Sequence, residues 1–282
     1  MKKIFLTHKP FFFTSFFVFL LCCNFISDAQ AVRQLNIHLE FEILSSMGDN
    51  GGTVAVHQKS RNYYTTMAGR KSNPMTIFNG ISEIVSPPDL ALLYDIRGMW
   101  YHPAHKTFYA NGYGTIGWVK YVIDGLGIPY DATVVFEGMR QPTPQSVGQY
   151  NQKENLVHFL HGSRVVAYDA NTATLVPEKT ILLKAGFTKK SPPPADWKID
   201  STAVLPDYNF TTVVYTGMSR SEFGLLNIKK REIELYDVAD GLMTTRLKIP
   251  AGIPLKDKLN FAYCNNYYWL FNDVTRTWLG LR

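Results

Sequence analysis

One hairpin unit recurs along most of this chain, and it constrains the fold more than any other feature. Each copy has an apolar strand, a short polar turn and a second strand rich in aromatic residues. Gly52-Thr53-Val54-Ala55-Val56-His57 turns through Gln58-Lys59-Ser60-Arg61-Asn62 into Tyr63-Tyr64-Thr65-Thr66. Gly98-Met99-Trp100-Tyr101 turns through His102-Pro103-Ala104-His105-Lys106 into Thr107-Phe108-Tyr109-Ala110. Ser146-Val147-Gly148-Gln149-Tyr150 leads through Asn151-Gln152-Lys153-Glu154-Asn155 to Leu156-Val157-His158-Phe159-Leu160. Ser201-Thr202-Ala203-Val204-Leu205 leads through Pro206-Asp207-Tyr208-Asn209 to a run ending at Tyr215. Leu259-Asn260-Phe261-Ala262-Tyr263 leads through Cys264-Asn265-Asn266 to Tyr267-Tyr268-Trp269-Leu270-Phe271. The first strands end at Val56, Tyr101, Tyr150, Leu205 and Tyr263. The steps between them are roughly 45 to 60 residues, enough for four short strands and their turns.

Later strands complete each unit. Arg164-Val165-Val166-Ala167-Tyr168 and Glu222-Phe223-Gly224-Leu225-Leu226 are third-strand candidates, and Glu232-Ile233-Glu234-Leu235-Tyr236 is a fourth. Nowhere after the N-terminal segment does an amphipathic pattern of period 3.6 persist, so the class is all-β. The pattern resembles the β-propeller repeat families of the YVTN and NHL type. That resemblance covers nearly all of residues 34–282 and implies a fold, not an activity. The reading is a propeller of about five four-stranded blades, with six as the alternative if residues 181–197 hide another short unit. The last unit stops at Thr277-Trp278-Leu279-Gly280-Leu281-Arg282, which supplies only its third strand. Leu35-Asn36-Ile37-His38-Leu39-Glu40-Phe41-Glu42-Ile43 alternates, and it is predicted to fill the vacant fourth place and close the ring. Two loops break the repeat, residues 138–144 and the Lys189-Lys190-Ser191-Pro192-Pro193-Pro194-Ala195-Asp196 segment, whose prolines exclude a central strand.

The N-terminus predicts the compartment. Lys2, Lys3 and Lys9 precede an uncharged apolar run at residues 11–26, and Ala29-Gln30-Ala31 supplies a small-x-small site. These are the three parts of a secretory signal. The run is broken by Thr14, Ser15 and Asn24 and falls short of a membrane-spanning helix. Residues 1–31 are therefore read as a cleaved signal peptide and residues 32–282 as one domain, periplasmic or extracellular. A lipid anchor on Cys22 or Cys23 is the rival, disfavoured because Leu21 rather than a small residue precedes Cys22. Cys264 alone would remain, in an apolar run, and reads as a small buried hydrophobe. No later stretch approaches spanning length. The 29 basic and 23 acidic residues are scattered, with no stripe suited to nucleic acid.

Motifs that carry chemistry are weak. His102/His105 and His158/His161 have H-x-x-H spacing, but the first pair flanks a hairpin turn and residues three apart on a strand point to opposite faces. His38 and His57 read as structural. Gly112-Tyr113-Gly114-Thr115-Ile116-Gly117 matches a dinucleotide fingerprint in letters only, since a strand and not a helix follows. No motif specifies a metal, a cofactor or a catalytic residue. Asn209-Phe210-Thr211 is a glycosylation sequon. Trp100, Trp118 and Trp269 read as core, and Trp197 as a candidate exposed contact.

The remaining candidates come from position. In a propeller, residues at the start of each inner strand line the axial funnel. Those positions hold Asp49, Asn50, Asp95, Arg97, Gln145, Asp200 and Asn260. Turn-forming Asp and Asn are common there for structural reasons alone. Two functions follow: a non-catalytic platform binding a protein, peptide or glycan, or an extracytoplasmic glycoside hydrolase or lyase with converging acids. The absence of any catalytic motif favours the platform.

Overall fold

A computed structural model describes residues 32–198 and 203–282. The predicted signal peptide and Asp200 lie outside the described residues. Five sheets account for all the regular structure apart from two short 3₁₀ turns. The first sheet holds β3 (Asn50–Val56), β4 (Tyr63–Ala68) and β5 (Met75–Phe78), with a single Phe78–Ile84 bridge in the fourth place. The second holds β6 (Ile96–His102), β7 (Thr107–Gly112), β8 (Trp118–Ile123) and β9 (Pro129–Phe136). The third holds β10 (Gln149–Asn151), β11 (Leu156–His161), β12 (Arg164–Asp169) and β13 (Ile181–Leu182). The fourth runs β14 (Val214–Tyr215), β15 (Phe223–Asn227), β16 (Glu232–Tyr236) and β17 (Met243–Lys248), with β1 (Val32–Gln34) added outside β17 in parallel. The fifth runs β18 (Phe261–Cys264), β19 (Tyr267–Asn272), β20 (Thr277–Leu281) and finally β2 (Ile37–Glu42).

The first strands of the sheets touch in cyclic order: β3 with β6, β6 with β10, β10 with β14, β14 with β18, and β18 with β3. The chain is a five-bladed β-propeller. Residues 181–197 contribute only β13, so no sixth blade forms. As predicted, the N-terminal strand takes the fourth place of the last blade. Phe41 of β2 pins it there, fully buried and stacked on Phe78 of the first blade (4.5 Å) and Trp269 of the fifth (4.7 Å). Burying one such ring is worth about 1.5–3 kcal/mol, and this ring bridges the seam where the circle closes.

The core is divided among the blade interfaces. Phe41, Trp269 and Trp278 of the fifth blade pack on Val54, Tyr63 and Phe78 of the first. Tyr64 and Ile77 meet Phe108 and Val119 in the next cluster, and Trp100 and Trp118 meet Val157 and Phe159 in the one after. Leu160 and Val165 then face Phe223 and Tyr236, and Ile233 and Leu247 face Phe261 and Leu270. Each blade is covered on both faces, which is why β4 and β7 are buried along their whole length and do not alternate.

Two sequence expectations need correction. Ala203–Leu205, the described part of the predicted first strand of the fourth blade, form no strand: the inner strand is β14, so Phe223–Asn227 is the second strand and Glu232–Tyr236 the third. Pro206 and the bends after it carry the chain to the axis before pairing starts. β1 was also not anticipated. Three residues carry no usable alternation, and their partner β17 lies two hundred positions away.

Candidate functional site

The propeller axis has two mouths, one where the inner strands begin and one where they end. The sequence-predicted ring lies at the first. Arg97 is buried and donates from Nε to Gln145 Oε1 (2.6 Å) and from Nη2 to Asp95 Oδ2 (3.2 Å), while Nη1 pairs with Asp95 Oδ1. Its guanidinium lies over the Tyr113 ring at 4.6 Å. Asp95 Oδ1 also accepts from Gly69 N–H of the first blade (2.8 Å). Asn260 accepts from Gly51 N–H (2.6 Å) and donates to Asn50 Oδ1 (3.4 Å). The structure thus gathers Asp95, Arg97 and Gln145 into one network and Asn50 and Asn260 into another. Asp49 is exposed at the start of β3.

These networks tie each blade to the next. The strongest tie was not foreseen. Asn111 of β7 is fully buried, and its Oδ1 accepts from Gly98 N–H (3.0 Å) and Gly148 N–H (2.9 Å). Its Nδ2 donates to Gln141 Oε1 (2.6 Å) and to the Ser146 carbonyl (2.8 Å). The two inner strands run so close here that a Cβ on Gly98 would lie 2.5 Å from Gly148 N. Asn209 does similar work between the fourth and fifth blades, donating to the Lys256 and Leu259 carbonyls and accepting from Thr211 and Thr212 N–H. Buried and bonded at both ends, Asn209 leaves the sequon inaccessible to glycan attachment.

The second mouth has a different character. A cavity of about 440 Å³ opens where the inner strands end. Tyr101, Tyr150, Tyr215 and Tyr263 stand around it, one from each of four blades, and Val56 takes the equivalent place in the first. Each tyrosine packs sideways on a ring of its own or the next blade: Tyr101 on His57 (4.7 Å), Tyr150 on His102 (5.5 Å), Tyr215 on Phe223 (5.5 Å) and Tyr263 on Tyr268 (4.9 Å). Hairpin turns add amides: Gln58, Gln152, Asn265 and Asn266, with Gln149 and Asn151 on β10. Gln58 and Gln152 hydrogen-bond across the mouth (2.7 Å). Among the described residues, Lys153 is the only Lys or Arg in the lining, which holds no Asp or Glu. The buried indole N–H of Trp100, another lining residue, has no hydrogen-bond partner among the described residues.

Burial sets the protonation here. It raises the Tyr150 and Tyr215 hydroxyls, lifts Tyr263 to about 12, and keeps all three as neutral donors. Cys264 also lines the cavity, with burial pushing its thiol up to about 12, far from the thiolate a nucleophile needs. Desolvation lowers His57 and His102, and takes His158 down to about 4. The His102 and His105 rings do come together, stacked at 4.1 Å. Among the described residues no group of three His, Cys, Asp or Glu side chains is placed to share a metal ion. The Gly112–Gly117 segment is a 3₁₀ turn between β7 and β8. Trp197 is half-buried against Phe187 (5.3 Å), a plug and not an open contact.

The second mouth had a signal in the sequence. Three of the five predicted first strands end on tyrosine, and correcting the fourth from Leu205 to Tyr215 makes four. A residue type repeated at one position of a repeat marks a shared environment.

No family model matches the chain, and no curated protein matches it. Solved structures do. The glutaminyl cyclase of Myxococcus xanthus aligns over 89% of this chain and 96% of its own, at 9% identity and a TM-score of 0.51. The β-propeller domain of Cps50 (Swd1) from Myceliophteria thermophila aligns over 88% and 99%, at 12% identity and a TM-score of 0.41. A nidogen/laminin complex aligns over 73% and 64%, at 9% identity and a TM-score of 0.38. At 9% identity the likeness to the cyclase is one of fold alone.

Proposed function

We propose that this chain is an exported, non-catalytic binding platform that takes a glycan at the mouth where the inner strands end. The observation that carries this reading is the circle of four tyrosines with amide side chains between them. Sugar rings present apolar C–H faces and hydroxyls that both donate and accept. Aromatic rings match the first, and Gln and Asn match the second without requiring a charge. A cavity of about 440 Å³ suits a ligand of one or two sugar rings. Export rests on the basic start, the short apolar run and the Ala29-Gln30-Ala31 site. No helix among the described residues is long and apolar enough to cross a membrane.

Of the ring acids among the described residues, Asp49 alone is exposed. Asp95 has both oxygens engaged by Arg97, and the tyrosine-lined cavity presents no acid. Titration calorimetry with cellohexaose, xylohexaose and chitohexaose tests the proposal. Saturable binding to at least one is expected, weakened about tenfold or more by Tyr150→Ala or Tyr215→Ala. If none of the three binds, or if both variants bind like the parent, the glycan reading fails.

A further inference from the structure

A second cavity, of about 490 Å³, opens between the fourth and fifth blades. Strand register builds its fourth-blade wall. Arg33 of β1 stands opposite Leu247 of β17, and Leu235 of β16 stands opposite Thr245. Residues in register across strands, or two apart along one, share a face. Arg33, Leu35, Leu235, Thr245 and Leu247 therefore point into the same cleft, and all five line it. The opposite wall is Tyr268 with its cross-strand partner Tyr263, and Arg282 follows at the end of β20.

Three features set this cleft apart. First, Tyr268 is 5% exposed, and its hydroxyl is buried without a hydrogen-bond partner. A native chain rarely leaves such a group unsatisfied unless something else completes it. Second, the described lining contains two guanidiniums and no Asp or Glu side chain, and among the described residues neither the Arg33 nor the Arg282 guanidinium pairs with an Asp or Glu side chain. Their charge reaches the tyrosines. Burial pushes the Tyr268 hydroxyl up and Arg33 opposes it; Arg282 opposes the rise at Tyr263 in the same way. Third, the base is apolar, formed by Leu35, Leu235 and Leu247 with Met218 beside them.

We propose that this cleft binds a small amphipathic carboxylate, its head held by Arg33, Arg282 and the Tyr268 hydroxyl, and its aliphatic body laid on Leu35, Leu235 and Leu247. A planar carboxylate matches a guanidinium fork and accepts a third bond from a hydroxyl. A singly charged head also costs less to desolvate beside leucines than a doubly charged phosphate does. The extra strand β1 then has a role: it delivers Arg33 to the rim.

Calorimetry on the purified protein tests this with decanoate and decanol, each below its aggregation limit. Decanoate is expected to bind saturably at one site, and decanol, with the same body but no charge, about tenfold or more weakly. Arg33→Gln, a change at an exposed position, is expected to weaken decanoate by about tenfold with Tm unchanged. Tyr268→Phe is expected to weaken decanoate while holding or raising Tm, because it deletes a buried hydroxyl that lacks a partner. A purely structural tyrosine would show the Tm effect alone. The proposal is overturned if decanoate does not bind, if decanol binds equally well, or if both variants keep the parent affinity.

Discussion

The two mouths of the propeller are built from the same strands and behave as opposites. Where the inner strands begin, the polar groups are buried and matched to one another. Arg97 and Asn260 are each 3% exposed, Asn111 is fully buried, and each bonds to the next blade. Where the strands end, Tyr101, Tyr150, Tyr215 and Tyr263 are half-buried and the turn amides Gln58, Gln152 and Asn266 are exposed. The difference follows from burial. A polar side chain inside the ring costs about 1–3 kcal/mol unless its bonds are made within the protein, so the first mouth is filled with internal partners. The second mouth is open, and its exposed turn amides Gln58, Gln152 and Asn266 each make only part of the bonds an amide can make within the protein. Polar residues near a propeller axis are therefore not equivalent, and position along the inner strand separates scaffold from site.

The largest expected effect tests the first mouth. Asn111→Ala removes the acceptor of two buried backbone donors, Gly98 N–H and Gly148 N–H. At about 2 kcal/mol for each orphaned group, the loss is about 4 kcal/mol. For a domain of this size that is a fall in Tm of about 10 °C by differential scanning calorimetry. Ligand affinity at the other mouth, measured below the transition, is expected to change less than stability does, since Asn111 does not line that cavity and reaches it only through the Gly148 N–H. A small Tm change would mean that the first mouth is not the scaffold argued here.

Next in size is the response to acid, which probes what stands behind the open mouth. His158 is buried, its Nδ1 has no partner, and it lies 5.7 Å from Tyr215 and 4.9 Å from Phe223. Burial takes its pKa from 6.5 down to about 4; Glu154 pulls it the other way, and Lys179 adds to the fall. Between those two values the unfolded chain binds a proton that the folded chain refuses, so stability falls as pH drops from about 6.5 to about 4 and then levels. The full contribution is about 3 kcal/mol. Urea midpoints across that range should show the slope, and His158→Phe should flatten it. An unchanged slope in the variant would place the acid sensitivity elsewhere.

Much of this architecture is legible in the sequence, because a blade needs a hairpin of strands covered on both faces and the repeated aromatic strands declare it. Closure by residues 35–43 is legible too, since the last unit lacks a strand and the alternation around Phe41 supplies one. The fourth blade misleads because its inner strand is ladder-paired at Val214 and Tyr215 with an isolated bridge at Tyr208, while Ala203-Val204-Leu205 looks more strand-like than it is. The described residues of the candidate ring stand where the inner strands begin, but sequence cannot show whether a polar side chain is bonded to its neighbour. Arg97 and Gln145 lie 48 positions apart and Asn260 and Gly51 lie 209 apart, so those partnerships exist only in the closed ring. The open mouth lies on turns that a positional rule for strand starts does not reach.

The smallest expected effect sits at Asp49, and it separates the platform from the acid-funnel alternative most cleanly. Asp49 shares the first mouth with Asp95 but not its circumstances. Asp95 is held by Arg97 and by Gly69 N–H, whereas Asp49 is exposed at the edge of β3. An exposed charge in water at physiological salt interacts weakly beyond about 8 Å, and a surface substitution without a buried partner changes stability by less than about 0.5 kcal/mol. Asp49→Asn is expected to leave Tm within about 2 °C and oligosaccharide affinity within about twofold of the parent. A hydrolase that used this acid would respond differently: binding would persist while release of reducing ends from the bound oligosaccharide stopped. Parallel calorimetry and reducing-end assays on parent and variant therefore decide the point, because turnover in the parent that disappears in Asp49→Asn contradicts a platform, and identical traces remove Asp49 from any catalytic role.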